Sequence, residues 1–399
     1  MTEQRLEVAD VFRQYGEAFL KRWGHTVSSQ QRKALRDIGV CRTAALGGHL
    51  EHCDGCPHEV IAYNSCRNRS CPKCQSTARD RWLAERAKEL LPVPYCHVVL
   101  TLPESLAMVV LQNAQLVYGL LFRAASQSLL EIAADPRHLG AKIGFLAVLH
   151  TWNQQLLHHP HLHCVVPAGG LAPDGSRWIR CRPKFFLPVK VLSRLFRAKF
   201  LALLRDAFAR GKLQFHGALR PLREPARFHA FLRPLQDTEW VVYAKPPFGG
   251  PEYVLKYLAR YTHRVAISNG RLLGLENGQV TFQWRDSKDN NQIKAMTLDA
   301  VEFIRRFLLH ILPSGFVKIR HFGLLSNRRR AAALNNCRAL LPQPVAPTAP
   351  ILSERQQAAV ERRCPVCKTG KMHTRRWLSA AELLGHINHL EPTHQLDSS

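Results

Sequence analysis

Three arrangements in this 399-residue chain have the residue types and spacing that chemistry needs. The first is "HPHLHCVVPAGG", residues 159–170. It reads as a buried β-strand that ends in two glycines. Successive strand side chains point to opposite faces, so His161 and His163 share one face and Leu162 and Cys164 the other. Two imidazoles fixed on one face can ligate a single cation through ring nitrogens. A lone core histidine is the commoner finding; a same-face pair is rarer and reads as a rigid metal clamp. A third ligand is needed. His150, Gln154 and Gln155 precede the pair, and the sequence does not choose among them.

The second arrangement is "EYVLKYLARYTHR", in which Tyr253, Tyr257 and Tyr261 recur every four residues. On a helix that spacing stacks the three phenols on one face. Ordinary aromatic packing would use the same spacing. The chemical alternative is a nucleophilic phenolate that attacks a phosphodiester, helped by a divalent cation. Arg260 and Arg264 stand beside the tyrosines and could grip non-bridging oxygens. The histidine pair and the tyrosine stripe thus account for each other.

The third arrangement is a cysteine cluster. The chain has 12 cysteines, and Cys53-Asp-Gly-Cys56 and Cys71-Pro-Lys-Cys74 form two Cys-x-x-Cys knuckles. Without a secretory signal, such knuckles argue for metal rather than disulfides. The spacing predicts one closed, structural zinc site from Cys53, Cys56, Cys71 and Cys74. Cys66 is the first substitute ligand, with His49 and His52 behind it. Arg67, Arg69 and Lys73 surround the second knuckle and are expected to meet DNA phosphates. Near the other end, Cys364 and Cys367 make half of a zinc site. His373, His386 or His389 could complete it, or the segment is a solvated tail.

The composition fits a polyanion partner. Lys and Arg number 56 against 30 Asp and Glu, a net charge of +26. Small-metabolite enzymes rarely need that excess, whereas neutralising phosphates releases counterions. The basic runs "SNRRRAAALNNCRAL" and "RRCPVCKTGKMHTRRW" fit the same use. Trp152, Trp284 and Trp377 could stack on unpaired bases, although each is more often packing. No apolar run is long enough to cross a membrane. The opening "MTEQRLEVAD" is neither a signal nor a transit peptide, so a cytoplasmic protein is expected.

The elements that must position these groups follow from periodicity. Residues 1–40 read as two helices, the second opened by a capping serine. "YCHVVLTLP", "KIGFLAVLHTW", "HLHCVVPAGGL" and "TEWVVYAKPPF" read as strands. Long helices lie between them. Asn277-Gly278 marks a hairpin turn, and "TLDAVEFIRRFLLHIL" reads as a helix. The strands do not alternate regularly with helices, which predicts an α+β fold with an antiparallel sheet. The expected division is 1–40, an N-terminal helical segment; 41–92, a zinc ribbon and its following helix; 93–335, a catalytic domain; and 336–399, a Pro-rich linker with a basic Cys/His tail.

"HLHCVVPAGG" followed by "YLARYTHR" resembles the HUH superfamily of single-strand endonucleases. Within it the chain is most similar to the rolling-circle transposases of the IS91 insertion-sequence family. The resemblance extends to "CRTAALGGHLEHCDGC", "YNSCRNRSCPKCQ", "HVVLTLP", "LHTWNQ" and "RVAISNGRL" and covers roughly residues 35–330. It implies a central antiparallel sheet carrying the histidine pair, with the tyrosine helix packed across it. It implies Mg2+ or Mn2+ on His161 and His163, and structural Zn2+ in an N-terminal unit. It implies attack by a tyrosine on single-stranded or hairpin DNA at a transposon end, leaving a 5′-phosphotyrosine and a free 3′-OH. Two-tyrosine members use a pair four apart, matched here by Tyr257 and Tyr261, with Tyr253 an extra at the same spacing. The expected setting is the bacterial nucleoid. Replication initiators and relaxases share the histidines and tyrosines, but the cysteine unit ahead of the domain favours a transposase. A non-catalytic zinc-dependent DNA-binding protein is the rival from another class.

Overall fold

The computed structural model describes residues 5–183, 186–248, 254, 265–286, 289–328, 330–342 and 362–387. Along the chain, helices α1 (Val8–Trp23) and α2 (Ser29–Gly39) precede strands β1 (Gly48–Cys53) and β2 (Glu59–Tyr63) and helix α3 (Pro72–Ala87). Then come β3 (Tyr95–Thr101), α4 (Ala107–Gln112), α5 (Ala114–Ala134), β4 (Gly144–Trp152), β5 (His158–Pro167), β6 (Gly169–Leu171) and β7 (Trp178–Arg180). Helices α6 (Val189–Ala209) and α7 (Pro225–Asp237) lead to β8 (Val242–Phe248). Strands β9 (Leu272–Glu276), β10 (Gln279–Asp286) and β11 (Gln292–Asp299) are followed by α8 (Ala300–Leu308), β12 (Ile319–Gly323) and α9 (Arg330–Leu340). Strand β13 (Met372–Leu378) and α10 (Ala380–Ile387) come last. The fold is α+β, as expected.

The chain forms two compact units. One gathers residues 1–80, 267–308 and 348–399; the other holds 81–266 and 309–347. This differs from a linear division: the 267–308 segment and the tail join the N-terminal helices. Packing explains the first of these. Phe12 of α1 meets Phe307 of α8 edge-on at 5.2 Å, and Gln31 Nε2 donates to the Leu308 carbonyl at 2.9 Å. In the same unit the β9–β10 hairpin turns on Asn277 and Gly278, both at positive φ (49° and 76°), as an Asn-Gly turn requires. Of "TLDA", read as the start of a helix, Thr297, Leu298 and Asp299 instead end strand β11, paired to β10, and the helix opens at Ala300.

The other unit is built on a five-stranded sheet in the order β12-β4-β5-β3-β8, antiparallel throughout. Both faces are covered. Leu149, Leu162, Cys164 and Val166 pack into a core with Phe122, Phe196, Phe200 and Trp240. Leu146, Val148 and Val165 pack on the opposite side with Leu91, Val254, Leu334 and Cys337. That is why β4 and β5 read as near-continuous apolar runs rather than alternating ones. The core is anchored by Trp240, whose ring lies 5.5 Å from those of Phe196 and Phe200 and whose Nε1 donates to the Leu235 carbonyl.

Past β5 the chain runs tight against the 142 backbone. Lys142 and Leu171 exchange backbone hydrogen bonds of 2.8 and 2.9 Å. A Cβ on Gly170 would stand 2.3 Å from the Lys142 carbonyl oxygen. Gly170→Ala should therefore destabilise the protein by about 2 kcal/mol through overpacking. Thermal or urea unfolding of the variant tests this, and an unchanged midpoint would refute the close approach.

Candidate active site and metal centres

The β4–β5 hairpin assembles the histidines. Its connection is a tight turn in which Asn153 Oδ1 accepts from the amides of Gln155 and Leu157, both at 2.9 Å. Buried Leu156 takes a positive φ of 61° there. Its carbonyl accepts from His310 Nε2 at 3.0 Å. The resulting register sets His150 opposite His161 and Val148 opposite His163. Directly paired residues of antiparallel strands share a face, so His150, His161 and His163 all point the same way. Their nearest ring nitrogens lie within 4.8 Å of one another.

Hydrogen bonds fix how two of these rings present themselves. His161 Nδ1 lies 2.6 Å from the His159 carbonyl oxygen, so Nδ1 carries the proton and Nε2 keeps its lone pair. That Nε2 is 3.1 Å from His163 Nε2. His163 Nδ1 is in turn bonded to Nε2 of buried His97 on β3 at 2.9 Å. A ligating imidazole usually has such a partner on its second nitrogen. Burial pushes His161 down to about 4 and His97 down to about 3, so both rings are neutral at pH 7, as ligation demands. Among the three candidate third ligands, His150 faces the pair, whereas Gln154 and Gln155 lie in the turn. Tyr253, Tyr257, Tyr261, Arg260 and Arg264 fall outside the described residues.

The cysteines do not assemble as their spacing suggested. Cys53 and Cys56 are not grouped with Cys71 and Cys74. Cys71 and Cys74 gather with Cys41 and Cys66, and Cys53 and Cys56 with Cys364 and Cys367. The strand between the knuckles is the reason. Cys53 and Cys56 lie at the β1–β2 turn, whereas Cys41 and Cys66 flank the other end of that hairpin. A six-residue strand such as β1 spans about 17 Å at ~3.3 Å per residue. Cys66 is thus a full member of a quartet rather than a substitute. Cys41 was missed because it stands alone rather than in a Cys-x-x-Cys pair. Cys364 and Cys367 are completed by cysteines, not by His373, which instead meets Asp54 Oδ2 at 3.2 Å.

In the first quartet, Cys41–Cys74, Cys66–Cys74 and Cys41–Cys71 are each separated by 3.6 Å between sulfurs. That is far beyond a disulfide bond, and all are free thiols. It matches the ~3.8 Å edge of a tetrahedron with ~2.3 Å zinc–sulfur bonds. Hydrogen bonds from Cys41, Cys66 and Cys71 hold Cys74 far below the ordinary thiol range, which favours a thiolate ready for metal. Around this quartet Arg67 and Arg69 are exposed, while Lys73 is paired with Glu7 at 2.7 Å.

Comparison with known proteins adds independent findings. Residues 144–332 match the Y2 family model described as "Putative transposase". Residues 11–102 match the IS91 model described as "Transposase zinc-binding domain". The chain is 57% identical over 379 residues to "Putative transposase y4qJ" of Sinorhizobium fredii (strain NBRC 101917 / NGR234), covering 92% of this chain and 94% of that protein. It is 28% identical over 320 residues to "Transposase for insertion sequence element IS801" of Pseudomonas savastanoi pv. phaseolicola, covering 77% and 74%. No solved structure matches. The zinc-binding match and the cysteine clusters together support structural Zn2+.

Cys41→Ser should lose the same zinc equivalent as Cys74→Ser and lower the unfolding temperature alongside it. Metal analysis of the two purified variants checks this. Full zinc retention by Cys41→Ser would remove that residue from the ligand set.

Proposed function

The chain belongs to the IS91-type family of insertion-sequence transposases, and we propose that it cuts and rejoins single-stranded DNA through a phosphotyrosine. The observation that carries this reading is the convergence of His150, His161 and His163 on one face of a buried hairpin. Imidazole nitrogens fit a divalent first-row cation, and the 3.1 Å Nε2 separation suits two adjacent octahedral positions at ~2.1–2.2 Å. Imidazole is a poorer match to Mg2+ than to a transition metal, so of the two cations Mn2+ fits better. Such a cation, when bound, would polarise a scissile phosphate.

The chain's own residues would do the rest. Tyr257 or Tyr261 gives up its phenolic proton and attacks phosphorus in line. The bond to the 3′ oxygen breaks, that oxygen takes a proton, and the 5′ side stays on the tyrosine. The freed 3′-OH, or one from another end, later attacks the phosphotyrosine and restores the phenol. Arg260 and Arg264 would bind the non-bridging oxygens. His97 would hold His163 in its ligating orientation. The net charge of +26 suits a chain that binds single-stranded and hairpin DNA at element ends, and target DNA. Arg67 and Arg69 are candidate phosphate contacts. Among the described residues no helix is long and apolar enough to cross a membrane, and the substrate places the protein's work at the nucleoid in the cytoplasm.

The test is a single-stranded oligonucleotide spanning an element end, incubated with the full chain and Mn2+ or Mg2+. A covalent, protease-sensitive adduct should form. The double variant Tyr257→Phe/Tyr261→Phe should lose the adduct and keep DNA binding, because Phe retains the ring and lacks the oxygen. Adduct formation at the normal level by that variant would exclude the pair as nucleophiles. If active wild-type protein binds DNA but never forms an adduct, a non-catalytic zinc-dependent binder is the better reading.

His150→Ala should weaken Mn2+ binding and adduct formation together, and His97→Ala should weaken them by about 10–100-fold. Calorimetric Mn2+ titration checks both, and unaltered affinity in His150→Ala would return the third position to Gln154 or Gln155.

A further inference from the structure

The second cysteine quartet lies half in the N-terminal unit's first hairpin, within the matched zinc-binding region, and half in the tail, where Cys364 and Cys367 lie beyond both matched regions. We propose that Cys53, Cys56, Cys364 and Cys367 bind a second Zn2+, and that this ion clasps the tail in place as the third strand of the β13-β1-β2 sheet.

The geometry is that of a built site. The Sγ atoms of Cys53 and Cys367 are 3.6 Å apart, and those of Cys56 and Cys364 are 3.7 Å apart. These again match the edge of a zinc tetrathiolate, ~3.8 Å, and all are free thiols. Each knuckle has a glycine amide aimed at one of its sulfurs. The Gly55 amide donates to Cys53 Sγ and the Gly370 amide to Cys367 Sγ, both at 3.3 Å. Amides aimed at thiolate sulfurs are the outer-shell bonds that orient and tune ligands. The knuckles also lock to each other: the Asp54 amide donates to the Lys371 carbonyl at 3.1 Å, and the Lys371 amide returns to Asp54 Oδ1 at 2.6 Å. Glycine is required where they meet, since a Cβ on Gly370 would lie 2.4 Å from Cys53 Sγ and 2.8 Å from the Gly55 nitrogen.

The docked strand needs such a staple. It pairs along all of β1, from Gly48 opposite Leu378 to Cys53 opposite Met372. Little apolar surface accompanies the pairing: Arg375, Arg376 and Trp377 are exposed, and the buried cluster is Ala44, Leu378 and Leu383. Cys53 and Cys367 are 314 residues apart in sequence, so the contact closes a very long loop, whose entropic cost grows with its length. Metal ligation supplies the stability that a small core cannot.

Metal analysis by native mass spectrometry of the full chain should find two zinc ions. The double variant Cys364→Ser/Cys367→Ser should carry one, and limited proteolysis should then release the tail while the Cys41, Cys66, Cys71 and Cys74 site stays loaded. Titrating metal-stripped wild-type protein with Co2+ needs no variant to fold: two equivalents should give thiolate charge-transfer absorption. Saturation at one equivalent, retention of both zinc ions by the double variant, or Cys53–Cys367 and Cys56–Cys364 disulfides in the purified protein would each overturn the proposal. None of these outcomes depends on the tyrosine chemistry.

Discussion

The antiparallel pairing of β4 with β5 is the constraint on which the candidate active site depends. One register fixes the face of every side chain on both strands. With His150 opposite His161, three imidazoles share a face; a slip of one residue would send the β5 pair to the apolar side. Both faces are buried, so that register is strongly specified by Leu162, Cys164 and Val166 on one side and Val165 on the other. The turn reinforces it, with Asn153 bridging two amides and His310 holding the Leu156 carbonyl. Ligands on paired central strands are placed more precisely than ligands on loops.

The N-terminal unit solves a different problem. Its small sheet has few apolar residues to bury, and sulfur clusters stand at both ends of the β1–β2 hairpin. Each quartet joins a Cys-x-x-Cys knuckle to sulfurs from elsewhere in the chain: two single cysteines in one case, a second knuckle in the other. The division into units follows from such long-range partners rather than from position along the chain.

Much of this was legible in the residues. The α+β class, the buried strands, the two N-terminal helices with a cap on the second, and the Asn277-Gly278 hairpin follow from local patterns: Ser28 caps α2 by accepting from the Gln31 amide, and the strand period places His161 beside His163. What spacing could not supply was partnership at a distance. Two Cys-x-x-Cys pairs near in sequence look like one site, and only the length of β1 separates them. Cys41 carries no local signature. His150 was one of three equal candidates until the hairpin register set it against His161. Strand β13 was hidden because "MHTRRWL" is polar and mostly exposed, so it lacks the alternation that marks a half-buried strand.

Burial also separates two electrostatic roles within the protein. Desolvation holds His97 and His158 at about 3 and His161 and His310 at about 4. At neutral pH these rings add no positive charge, and their nitrogen lone pairs are free of competing protons. Attraction of a phosphate chain must then come from the arginines and lysines behind the net charge of +26. Surface charge of that kind acts over about a Debye length and weakens with salt, whereas a cation held among buried imidazoles acts at contact and is screened far less. DNA binding and metal loading are therefore expected to answer to different variables, ionic strength for the first and proton competition for the second.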